Sequence, residues 1–245
     1  MTSPGTASTS DRVGVLTDAG EMPAHLWLPE AGTGPGLLLL QEIFGVSDYI
    51  KQRGADLAEA GYVVLAPELY WRLDQGPIDE SAPDAFETAF GAMQRLDWDT
   101  TIEDAVAALE HLRAREEVQG GTGVLGFCFG GGVAFNVAAV DKPDVLVSYY
   151  GSAIPGLLEL APNVSAPSLH HFGLADQFID QATVERVRTA VTDTEAVVQF
   201  QTYEGANHAF DNWSFSLHHA EASAAAWRTT VDFLHRELPL DASAA

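Results

Sequence analysis

Residues 123–132 read Gly-Val-Leu-Gly-Phe-Cys-Phe-Gly-Gly-Gly, a short apolar run passing into a glycine cluster with the chain's one cysteine at its centre. Val124 and Leu125 supply a strand, and the apolar, Ala-rich residues 133–140 supply the helix that follows. Between them, Gly126 and Gly130 stand two residues on either side of Cys128, in the pattern G-x-C-x-G. A strand that reverses sharply into a helix holds its corner residue in a strained backbone conformation, and a side chain at either flank would collide with the crossing backbone. The corner side chain is pushed out into a cleft. The helix amino terminus beneath it carries free N–H groups and positive partial charge, which favour a thiolate and a developing oxyanion. A lone cysteine behind a strand also reads as a small buried hydrophobe, so the turn gains meaning only from partners elsewhere in the chain.

The segments around this turn alternate between strand and helix. A turn at residues 18–20 joins two short segments, 12–16 and 25–28, as an opening antiparallel hairpin. The run Gly36-Leu-Leu-Leu-Leu-Gln-Glu42 is too short for a helix and apolar throughout, as a strand buried on both faces requires. Ser47 can cap a helix reaching Ala60, Gly61 closes it, and residues 62–66 form a strand stopped by Pro67. Residues 73–83 are polar and contain Pro and Gly, a surface excursion of the kind that forms lids, before helical patterning over 83–95 and 100–115. Strands at 145–150, 168–172 and 197–203 and a terminal helix over 217–236 complete the pattern. It implies an α/β fold with a mostly parallel central sheet of about eight strands and helices on both faces. Residues 11–240 read as one domain, with 1–10 and 241–245 as flexible ends.

In open sheets of this kind, sites lie in loops at the carboxyl ends of the strands. Two such loops beyond the cysteine carry groups capable of chemistry. Asp176 follows the strand ending at Phe172, and His208 follows the strand ending at Tyr203. The order Cys, Asp, His is that of a nucleophile on a central strand with its partners on two later ones. A thiol needs a base to become thiolate, and the base needs a carboxylate to fix its tautomer. Asp176 also reads as a turn or capping residue, and His208 as a structural imidazole. His25, His111, His170, His171, His218, His219 and His235 fall inside predicted elements or head the final helix, and read as structural. Glu42 ends a run of four leucines, where it can serve chemistry or cap the next helix. The backbone N–H groups of Ile43 and Phe129 are the natural oxyanion-hole pair for such a turn.

Charge and cysteine count exclude several functions. With 12 basic against 35 acidic residues the formal charge is −23, which repels nucleic acid and anionic membrane surfaces. Such a surplus also suits tolerance of high salt. No apolar run approaches the roughly 18 residues needed to span a membrane. One cysteine excludes an intramolecular disulfide and cysteine-rich metal sites, and with no secretory leader it points to the cytoplasm.

Taken together, Gln41-Glu-Ile-Phe-Gly-Val46, Ala66-Pro-Glu-Leu-Tyr70, Gly126-Phe-Cys-Phe-Gly-Gly131, the Asp176 loop and Gly205-Ala-Asn-His208 resemble the dienelactone hydrolase (carboxymethylenebutenolidase) family of the α/β-hydrolase superfamily. The resemblance runs over residues 12–236. It implies an α/β-hydrolase fold and hydrolysis of a cyclic enol ester through a thioester, with no cofactor and no metal. Cys128 would be the nucleophile, His208 its base and later acid, and Asp176 the orienting carboxylate. Glu42 would keep the resting thiol protonated and help switch it to thiolate. The partner is then a small ester or lactone, and the protein a monomer or small homo-oligomer. One departure concerns substrate binding: well-studied enzymes of the family hold a substrate carboxylate with arginines, one of them four residues past the catalytic histidine, where this chain has Asn212. Arg72, Trp71, Phe86, Asn212 and Trp213 are the candidate substrate contacts, in a pocket made more apolar by its aromatic residues. A general carboxylesterase without dienelactone activity, and a non-catalytic member that binds ligands or senses oxidants through its thiol, are the competing readings.

Overall fold

The computed structural model describes residues 10–73 and 75–240. The flexible ends expected at 1–10 and 241–245 therefore lie outside the described residues, save for Ser10, whose hydroxyl is hydrogen-bonded with His25 Nδ1.

Eight strands form one sheet: β1 (Asp11–Thr17), β2 (Gly20–Trp27), β3 (Gly34–Leu40), β4 (Val63–Pro67), β5 (Val118–Phe127), β6 (Val145–Tyr149), β7 (Ser168–Gly173) and β8 (Val198–Tyr203). Their order is β1-β2-β4-β3-β5-β6-β7-β8. β1 and β2 pair antiparallel, β2 pairs antiparallel with β4, and every later pairing is parallel. Among the described residues six α-helices accompany the strands: α1 (Asp48–Glu59), α2 (Ala85–Gln94), α3 (Trp98–Arg113), α4 (Phe129–Asp141), α5 (Gln181–Thr192) and, after the last strand, α6 (Ala220–Glu237). This is the α/β-hydrolase arrangement expected of the sequence, with β3 and β5 at its centre.

The leucine run explains that centre. Leu37–Leu40 are fully buried, as a strand covered by helices on both faces must be, and each such leucine contributes roughly 1.5–3 kcal/mol of burial. The opening hairpin forms with a tighter turn than the sequence suggests, since β2 starts at Gly20 itself, paired with Thr17. β5 is longer than the Val124–Leu125 core of its pattern. It begins at Val118 and runs through Gly121 and Gly123, where a Cβ would lie within 3 Å of neighbouring side chains. α4 starts directly after Cys128 rather than at Val133, so the three glycines after Phe129 belong to the helix. Ser47 stands at the N-cap of α1 as expected, but its hydroxyl makes no capping bond and is buried without a partner among the described residues. The excursion after Leu73 is tied down at Ile78, which donates its N–H to Phe44 O and is buried.

Register sets the site. Leu40 pairs with Gly126, and Gly126 with Ser148. Glu42, Cys128 and Tyr150 each lie two residues beyond that row, so three adjacent strands deliver them to the same end of the sheet. The loops after β7 and β8 end there too.

Candidate active site

Cys128 occupies the strained corner that its sequence context demands, with φ 52° and ψ −113°. A Cβ on Gly126 would lie 2.1 Å from Gly130 O, and one on Gly130 2.3 Å from Leu40 O, so the β5–α4 crossing admits no side chain at either flank. Backbone bonds lock the corner: Cys128 N–H donates to Tyr149 O at 3.0 Å and Gly130 N–H to Gln41 O at 2.9 Å.

The structure brings Cys128, His208 and Asp176 together. His208 Nε2 lies 3.1 Å from Cys128 Sγ, and His208 Nδ1 lies 2.7 Å from Asp176 Oδ2. All three are buried. Asp176 performs both of the tasks open to it, because its Oδ1 accepts from Phe178 N–H at 2.7 Å and Ile179 N–H at 2.9 Å while Oδ2 faces the imidazole. Asn207 joins the two loops, its Oδ1 accepting from the N–H groups of Gln177 and His208. Burial disfavours a charge on His208, but the Cys128 sulfur and the hydrogen bond to Asp176 outweigh it and raise the imidazole to about 10. Tyr150, with φ 37°, and the residue after His208, Ala209, with φ 53°, are two further strained positions at the same site.

Glu42 is buried and makes no hydrogen bond with the sulfur. Tyr150 donates its hydroxyl to Oε1 at 3.1 Å, and Asn212 Nδ2 donates to Oε2 at 2.7 Å. Desolvation, helped by the nearby Glu80 carboxylate, pushes Glu42 up to about 8, so the group is mostly neutral at pH 7. Tyr150 itself is held well above the ordinary phenol range by burial, then by Glu42, and so remains a donor. Behind it the polar chain continues: Tyr49 approaches Tyr150 at 3.4 Å and donates to Asp211 at 2.6 Å, and Arg53 grips Asp211 through two bonds of 2.8 Å.

Ile43 and Phe129 both line the cavity beside Cys128, and among the described residues neither backbone N–H is engaged. The cavity measures about 440 Å3 and is walled almost entirely by apolar side chains, Phe86 among them. Ser152 adds a hydroxyl 3.9 Å from the sulfur. Of the eight histidines only His208 lines it. Burial holds His170 at about 4 and His171 at about 3, uncharged inside the sheet.

The other proposed substrate contacts fall elsewhere. Arg72 binds Asp104 through two bonds of 2.9 and 2.7 Å, and Trp71 Nε1 donates to the same carboxylate at 2.8 Å; both anchor α3 instead of facing the cavity. Trp213 is 53% exposed and lines a separate polar groove. Asn212 is fully buried behind Glu42, and its amide also donates to Glu80. Tyr150, Asn207 and Glu80 do not stand out in the sequence. Tyr150 directly follows β6 at the active edge, but only the register of β3, β5 and β6 brings it to Glu42; Glu80 sits in an excursion with no periodicity to place it. Among the described residues no group of three or more His, Cys, Asp or Glu side chains is arranged to hold a metal ion, and no helix is long and apolar enough to cross a membrane.

Comparison with known proteins finds relatives over most of the chain. The profile of the dienelactone hydrolase family matches residues 22–238. A carboxymethylenebutenolidase of Pseudomonas sp. is 33% identical over 224 residues, covering 90% of this chain and 92% of its own. That of Pseudomonas putida is 32% identical over 207 residues, covering 84% and 87%. A crystal structure from Klebsiella pneumoniae subsp. pneumoniae, described only provisionally as a dienelactone hydrolase, superimposes with a TM-score of 0.80 at 24% identity over 93% of this chain and 98% of its own. At that identity the likeness bears on the fold alone.

Proposed function

The chain belongs to the dienelactone hydrolase family and is a hydrolase of carboxylic esters, and from that premise we propose that it cleaves small esters or lactones through a thioester on Cys128. The observation that carries this reading is the 3.1 Å approach of His208 Nε2 to the sulfur, with Asp176 2.7 Å behind the ring.

In the proposed cycle, the thiol proton passes to His208 and Cys128 Sγ attacks the substrate carbonyl. The N–H groups of Ile43 and Phe129 receive the developing oxyanion at the amino terminus of α4. The C–O bond to the leaving group breaks as His208 Nε2–H protonates that oxygen, leaving an acyl thioester and a neutral imidazole. The sulfur charge was the largest support for a proton on His208, and acylation removes it. The imidazole is then free to take a proton from water, whose hydroxide attacks the thioester and releases the acid and the thiol. Asp176 keeps Nδ1 protonated throughout, so that Nε2 is the working atom. Glu42, kept mostly neutral by burial, does not set a carboxylate charge against the thiolate or the oxyanion.

The test is hydrolysis of 4-nitrophenyl acetate before and after alkylating the one cysteine with iodoacetamide. Loss of activity in step with alkylation, and an acetyl group on the Cys128 peptide in a quenched reaction, are expected. Hydrolysis no faster than buffer, or a rate indifferent to alkylation, would sink the proposal.

A further inference from the structure

The cavity carries more information than the reaction does. Among the described residues its lining includes no lysine or arginine; its titratable side chains are Glu42, His208 and Cys128. Arg72 is spent on Asp104, and the exposed Arg95 ends α2 outside the lining. From His208 a ladder of rings runs outward. The Phe178 ring meets His208 edge-on at 5.3 Å, Phe86 stacks on Phe178 at 5.9 Å and 24°, and Phe90 stacks on Phe86 at 6.0 Å and 10°. Phe86 and Phe90 are each 42% exposed and Phe178 58%, although all three line the cavity. Three large rings left half in water at a reaction centre, none of them packed into the core, form a surface that a substrate group would cover.

We propose that the acyl site selects neutral, aromatic substrates, with the acyl ring seated against Phe86 and Phe178, and that it rejects acyl groups carrying a carboxylate. This rests on the hydrolytic reading above and narrows it to a substrate class. An aromatic acyl group continues the ladder in the offset or edge-on geometries that ring quadrupoles favour, and it displaces water from apolar surface. A carboxylate entering the same space would lose its hydration without gaining a cationic partner, on a chain that is strongly acidic as a whole.

The experiment compares three 4-nitrophenyl esters as kcat/KM divided by the buffer rate: the acetate, the phenylacetate and the 4-carboxyphenylacetate. The wild-type protein is expected to favour phenylacetate over acetate by at least tenfold, and phenylacetate over its carboxylated analogue by about a hundredfold. Phe86→Ala and Phe178→Ala, both at exposed positions, should each lower the phenylacetate-to-acetate ratio severalfold. Met93→Lys, which puts an ammonium on the cavity wall, should raise the carboxylated ester relative to the neutral one. A carboxylated ester handled within threefold of the neutral one overturns the proposal, as does a phenylacetate-to-acetate ratio that neither phenylalanine variant moves. Thiol-dependent hydrolysis of the acetate alongside either result leaves the hydrolytic reading standing, whereas no thiol-dependent hydrolysis of any of the three ends both.

Discussion

Asn212 Nδ2 donates to Glu42 Oε2 at 2.7 Å. The same nitrogen reaches Glu80 Oε2 at 3.0 Å, so a single amide joins two carboxyl groups, one beside the reaction centre and one on the excursion after β4. Its own Oδ1 accepts from the backbone N–H of Ser214 at 2.9 Å, and the Ser214 hydroxyl donates to Glu80. Asn212→Asp replaces the shared donor with a third acceptor in a fully buried place. It is expected to cost about 1–3 kcal/mol or more, with the loss larger at pH 8.5 than at pH 6 as Glu42 ionises. Thermal unfolding at both pH values measures this; a Tm equal to wild type at both would refute it.

Glu42 makes the stability of the fold depend on pH in a defined direction. Its carboxyl is raised from 4.5 to about 8 by burial, so between these values the folded chain holds a proton that the unfolded chain has released. Stability from this group is complete below about 4.5 and falls as pH rises through 8. A tenfold difference in proton affinity between the folded and unfolded chain corresponds to about 1.4 kcal/mol, so the loss across the window is a few kcal/mol. Glu42→Gln removes the titration. Its urea midpoint should vary less than that of wild type between pH 5 and 8.5, and the variant should gain on wild type at the alkaline end. Parallel curves for the two proteins would show that Glu42 is ionised throughout.

Asp176→Asn keeps the size of the side chain but removes the charge that supports protonated His208 and presents an amide that can flip the imidazole tautomer. Turnover of 4-nitrophenyl acetate should fall by about 10^2–10^4, in line with the loss of an orienting carboxylate in related constellations. The two N–H bonds that Asp176 Oδ1 accepts can be kept by the asparagine oxygen, so Tm should change little. An equal fall in activity and stability would make Asp176 a structural residue.

The opening hairpin, the central leucine strand and the glycine-flanked corner were legible because each depends on local physics: a turn between two short strands, an apolar run of strand length, or a backbone crossing that admits only hydrogen. The approach of His208 to Cys128 was legible from chain order and topology, since β7 and β8 lie on one side of β5 and end at the same edge. What lay beyond reach was set by contacts distant in sequence. Arg72 looked available until Asp104, 32 residues away, claimed it. Trp71 followed it for the same reason. Asn212 looked like a substrate contact, but lies behind Glu42 because β3 and the loop after β8 converge there. Nothing in the local pattern announces Tyr150 as the donor to Glu42, which requires knowing that β3, β5 and β6 are in register.

The excess of acidic residues predicts a response to salt. At −23, the folded surface repels itself, and raising NaCl from about 0.1 M to 1 M shortens the screening length from roughly 10 Å to 3 Å. The partly buried pair of Arg53 with Asp211 is screened much less than the surface. Tm should therefore hold or rise across the titration. A steady fall would mean that exposed ion pairs, not repulsion, dominate.

Two glycines should respond to the same substitution with opposite signs. Gly130→Ala puts a methyl 2.3 Å from Leu40 O and 2.5 Å from Gln41 O, both backbone atoms of the strand that delivers Glu42 and Ile43. Nothing flexible can yield, so either β3 or the first turn of α4 must move, and with it the N–H groups of Ile43 and Phe129. The expected loss is about 3 kcal/mol or more, at the upper end of what core overpacking costs because only backbone atoms are met, together with loss of hydrolysis. Gly91→Ala lies within α2, where a Cβ meets nothing among the described residues within 4 Å. There the added methyl only restricts the unfolded chain and favours the helix, for a gain of about 0.5–1 kcal/mol. Urea unfolding of both variants provides the measurement. Equal shifts, or a tolerated Gly130→Ala with full activity, would show that the corner at Cys128 is looser than its backbone contacts require.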